Sequence, residues 1–122
     1  MTAASPDGPE LVSVGSFRIA REVTPALWAV AVQELNDVAA RLAERIAPTA
    51  SVEAQRDASV AGHRARVYEI AHRREGAEHV DRVTFVLVGT RQFQLTCRIA
   101  VADPEPGETA CAELVGSFQP ER

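Results

Sequence analysis

Residues 83–101, VTFVLVGTRQFQLTCRIAV, decide the fold. From Gln92 onward the residues alternate cleanly. Phe93, Leu95, Cys97, Ile99 and Val101 share one parity, and Gln92, Gln94, Thr96 and Arg98 share the other. That period of two is the signature of a strand with one apolar face. Before the turn, Val83, Phe85 and Leu87 alternate with Thr84, Val86 and Val88. Loop length sets which row meets Phe93, because a slip of one residue reverses the faces. A two-residue loop, Gly89-Thr90, puts Val86 opposite Phe93. A three-residue loop, Gly89-Thr90-Arg91, puts Leu87 opposite Phe93 and Phe85 opposite Leu95. The second register collects the larger side chains on one face, so a one-sided core selects it.

Outward from this hairpin, GHRARVYEIAHRRE (62–75) reads as a preceding strand, followed by a turn at EGAE (75–78). His72 and His79 flank that turn and face each other if the loop has an even count. SVEAQR (51–56) reads as a further short strand. Near the N-terminus, Val12 and Val14, then Phe17 and Ile19, suggest two short strands separated by a kink at Gly15-Ser16.

Two helices complete the pattern. Thr24 and Pro25 suit a helix start. Leu27, Val30, Ala31, Leu35, Val38, Leu42 and Ile46 then recur at steps of three and four until Pro48. The expected helix has about 23 residues, with Trp28 beside its apolar stripe. After ADPEPGE, the spacing of Cys111, Leu114, Val115 and Phe118 gives a short helix that covers the Phe93 row. The expected fold class is therefore α+β: an antiparallel sheet packed by one long helix and a C-terminal helix. The expected organisation is a disordered segment over 1–10 and a single domain over 11–120.

On this reading the second sheet face is mixed. Tyr68, Ile70, Val86 and Val88 share it with Arg66; such a face is solvated, covered by the second helix or a partner surface, and in the last case these five residues are the candidate contact surface. Trp28 is the candidate wall of a pocket between the long helix and the sheet.

The bulk properties exclude several functions. The chain has 122 residues, 46% of them hydrophobic and 25% charged, with a formal net charge of −4. These are ordinary globular values. An acidic chain without a basic stripe argues against nucleic acid as partner. No run of apolar residues reaches the length of a membrane span. The first ten residues carry neither the basic nor the apolar part of a secretory signal, so the expected compartment is the cytoplasm. The two cysteines, Cys97 and Cys111, match no zinc or redox spacing. Both fall on apolar faces that pack together, so they are expected as buried thiols. A disulfide between them is conceivable in geometry, but a reducing cytoplasm opposes it.

No glycine-rich phosphate loop, HExxH, GxSxG or CxxC motif occurs. Of the three histidines His63, His72 and His79, the last two would make half a metal site, and no third ligand stands out beyond Glu78 or Asp81, so no metal, cofactor or catalytic group is expected.

The order of elements resembles the PsbP-like superfamily, which includes small actinobacterial lipoproteins, a nuclear import factor and chaperones of type VI secretion. AGHRARVYEI, VTFVLVGTRQFQLTCRIA and ACAELVGSFQP are similar to its strands and closing helix. These motifs mark structure rather than chemistry. The resemblance implies a non-enzymatic interaction module, adaptor or chaperone-like, that binds a protein partner or forms a homodimer. The alternative is a small-ligand binder with its pocket between helix and sheet.

Overall fold

A computed structural model describes residues 2–4, 11–19 and 22–119. Six antiparallel strands form one sheet in the order β1-β2-β6-β5-β4-β3. They are β1 (Thr2–Ala4), β2 (Leu11–Arg18), β3 (Ser51–Val60), β4 (His63–Arg74), β5 (Ala77–Val88) and β6 (Arg91–Ala100). A 3-10 turn, Pro25–Leu27, leads into α1 (Trp28–Ile46), and α2 (Glu105–Ser117) follows β6. Residues 1 and 5–10 of the expected lead-in lie outside the described residues, and Thr2–Ala4 pairs with β2.

Strands β3 to β6 form a meander closed by three two-residue turns. Ala61-Gly62 and Glu75-Gly76 have positive φ at both central positions, 53° and 80° in the first and 52° and 81° in the second. That is the geometry of a type I′ hairpin, whose twist matches that of its strands. The last turn is Gly89-Thr90, with Gly89 at φ 59°. A glycine with positive φ at the first central position fits type II′.

This turn corrects the expected register. Val86 pairs with Phe93 and Thr84 with Leu95. Phe85, Val83 and Leu87 consequently point away from the Phe93 row. The size argument failed because its premise failed: both faces of the sheet are buried. On one face, Leu35, Ala39 and Ala43 of α1 pack on Tyr68, Ile70, Val83 and Phe85. Alanine at two of these three helix positions lets α1 lie close over the aromatic pair, whose rings meet edge to face at 5.8 Å. On the other face, Leu114, Val115 and Phe118 cover Val60, Ala65, Val86, Phe93 and Leu95. Phe118 meets Phe93 edge to face at 5.1 Å.

The expected fold class is corrected with it. The chain is not an α+β sheet with both helices on one apolar face. It is mostly sheet, with a helix on each side. Two smaller expectations change as well. The two short strands expected around Gly15-Ser16 are a single strand, β2, which pairs without interruption from Val12 to Arg18 against β6, so Gly15-Ser16 is no kink. The side chains of Val12 and Phe17 lie outside the described residues. Val101 falls beyond β6 and is exposed.

Cys97 and Cys111 are joined as a disulfide, with Cα atoms 5.5 Å apart, which corrects the expectation of two thiols. The bond ties the middle of β6 to the middle of α2.

Candidate functional site: an apolar cleft beside the long helix

The chain crosses from β2, at the far side of the sheet, to the start of α1. The Ile19 amide donates to the Thr90 carbonyl, which holds this crossover against the β5–β6 turn. Because α1 lies over β3, β4 and β5, a cleft of about 480 Å³ opens beside its first half. The crossover contributes Ile19 and Val23, α1 contributes Val30, Ala31, Leu35 and Val38, and β5 contributes Leu87. Glu34 and Gln92 are its polar groups. Val30 stands at the rim with 58% of its surface exposed, the most exposed of the large hydrophobic residues described. A concave, mainly apolar space with few polar groups is the usual form of a small-molecule site, and this volume lies within the usual range.

Trp28 is not part of the cleft, contrary to expectation. Its Nε1 donates to Asp57 Oδ2 at 3.3 Å, and the Arg64 guanidinium lies 4.9 Å from the ring. It thus faces the β3–β4 edge. Trp28 and Leu27 are neighbours in sequence, yet the helical rotation points only Leu27 into the cleft.

The expected contact surface does not form. Tyr68 and Ile70 are buried beneath α1, at 1% and 0% exposure. Val86, also fully buried, lies on the opposite face beneath α2, and Val88 packs beside it. Tyr68 Oη donates to Asn36 Oδ1 and so links the sheet to α1. Arg66 bonds Asp57 Oδ1 at 2.7 Å and Gln55 Oε1, and lies 5.7 Å from the Tyr68 ring. Burial works against the charge on Arg66, but Tyr68 and Asp57 outweigh it and raise its pKa. Arg66 is thus a structural clamp at the sheet end. Helix coverage of both faces is what turned a surface into two cores.

A second polar cluster lies at the other end of the α1 face. His72 pairs with His79 across the hairpin, and their rings stack at 5.7 Å. The sequence made this pairing conditional on an even loop count, and the two-residue turn Glu75-Gly76 meets that condition. His72 Nε2 lies 2.9 Å from Asp81 Oδ1, and Arg98 grips the same carboxylate through Nε at 2.8 Å and a terminal nitrogen at 3.0 Å. Burial opposes ionisation of Asp81, but Arg98 and His72 outweigh it and hold its pKa below 3.8. Among the described residues, no group of three or more His, Cys, Asp or Glu is placed to hold a metal ion. His63 stands apart, at the β3–β4 turn.

No family profile matches the chain, and no curated protein does. Among solved structures it is similar to PA94 of Pseudomonas aeruginosa, a protein of unknown function provisionally assigned as a regulator. The TM-score is 0.55 at 18% identity, over 100% of this chain and 97% of that one. Such a likeness carries the fold alone, and it names no PsbP-like protein. No helix among the described residues is long and apolar enough to cross a membrane.

Proposed function

We propose that the protein is a non-enzymatic binding protein that takes an apolar small ligand into the cleft beside α1. The supporting observation is the cleft itself: about 480 Å³, walled by side chains from three separate parts of the chain. A native core closes such gaps, because apolar surface left in water is unfavourable. A gap kept open between a helix, a strand end and a connecting segment is best explained by what fills it. The ligand reading, the alternative at the level of sequence, moves ahead because the residues named for protein contact are buried.

The test is native mass spectrometry on protein purified without detergent, followed by melting curves with neutral apolar compounds. A small-mass adduct, or a concentration-dependent rise in melting temperature, supports the reading. A bare mass and an unchanged melting curve across the panel contradict it.

One observation favours a second reading, an adaptor or chaperone-like module for a protein partner. Val30 carries apolar surface from the cleft onto the outside of α1. A partner side chain seated in the cleft would cover it. On this reading Val30→Glu abolishes association with the partner, whereas a small ligand tolerates it better. A cytoplasmic location belongs to the same proposal. It predicts that Cys97 and Cys111 are thiols in the cell and bond on exposure to air.

A further inference from the structure

The cleft carries a sign as well as a shape. Glu34 sits on α1 one turn from both Val30 and Val38, so its carboxylate belongs to the same stripe that walls the cleft. No ion pair engages Glu34 among the described residues. The other polar lining group, Gln92, is neutral and half-buried.

Three arginines of the sheet are committed elsewhere. Arg66 holds Asp57, Arg82 holds Glu69 and Glu108, and Arg98 holds Asp81. Arg91, next to Gln92 in sequence, points to the opposite face, where it lies 5.1 Å from the Phe93 ring. Among the described residues, the lining of the cleft thus holds one charge, and it is negative.

We infer that the cleft selects amphiphiles with an apolar tail and a cationic head, and that Glu34 reads the charge. This rests on the ligand-binding reading above. A cation brought against a carboxylate beside an apolar wall is attracted more strongly than in bulk water. An anionic head in the same place meets repulsion and loses water without a partner.

The probes are octylamine, octanol and octanoate, which share one tail and differ in head-group charge at neutral pH. Calorimetric titration of the intact chain gives the three affinities. The expected order is octylamine, octanol, octanoate, with octylamine bound about threefold to tenfold more tightly than octanol, the scale of a partly solvated ion pair. In Glu34→Gln that preference falls to within about twofold. Octanoate binding as tightly as octylamine to the native chain overturns the inference and leaves the cleft as a neutral apolar site. A preference for octylamine that survives Glu34→Gln overturns the role of Glu34. Failure of all three probes to bind overturns the ligand reading and this inference together.

Discussion

Gly107 of α2 lies directly against Ile99 of β6. A Cβ at this glycine would stand 2.7 Å from both the Ile99 Cα and the Arg98 carbonyl oxygen. Both are backbone atoms and cannot turn aside. Gly107→Ala must therefore lift the first turn of α2 from the sheet, with an overpacking cost of about 1–3 kcal/mol. Gly116→Ala, which meets nothing within 4 Å, serves as control. In an exposed part of the same helix it should be neutral or slightly stabilising. Chemical denaturation of the pair tests this, and equal midpoints would contradict it.

The disulfide anchors the same helix. Cys97 and Cys111 are separated by 14 positions, and a loop of that size contributes about 3 kcal/mol through the unfolded chain. Unfolding with and without a dithiol reductant should show a midpoint lowered accordingly. Readily titratable thiols in native protein fully oxidised in air would contradict the bond.

Asp81 sets the acid limit. Its folded pKa lies below the ordinary 3.8, chiefly because Arg98 and His72 overcome the effect of burial. The unfolded chain therefore binds the proton first as pH falls. The stability this carboxylate contributes is complete above the ordinary value and is lost as pH falls through the folded one. Asp81→Asn should flatten that part of the stability profile. It should also cost about 3 kcal/mol at neutral pH by stranding Arg98. A profile with the native acid slope would show that other carboxylates govern it.

Tyr68 should behave as core. Tyr68→Phe removes the bond to Asn36 and costs about 1 kcal/mol. Tyr68→Ala leaves a cavity beneath α1 and costs about 3–5 kcal/mol. If Tyr68→Ala unfolds like the native chain, the ring is not packed as described.

Much of this fold was legible in the sequence, because periodicity reports local geometry. The three- and four-residue steps placed α1, and the alternation from Phe93 to Ile99 placed β6 and its α2-facing row. The histidine pair was legible only as a condition on the loop count, because EGAE (75–78) did not by itself fix the two-residue turn. The β5–β6 register was not legible from side-chain size, since Val86 and Phe85 are both fully buried on opposite faces. The one local clue was Gly89, a residue suited to the first position of a two-residue turn. The cleft left no pattern at all. Ile19, Leu35 and Leu87 meet only because a crossover, a helix and a strand end converge, and no spacing records that. Trp28 drew attention by its size, whereas the cleft is built from aliphatic neighbours.

The most direct test of the cleft as a binding site is methyl-resolved nuclear magnetic resonance during titration with octanol. Ile19, Val30, Val38 and Leu87 should shift and saturate together, while Val86, Leu95 and Leu114 beneath α2 stay in place. Unmoved cleft methyls, or saturable shifts confined to the α2 face, would contradict the account.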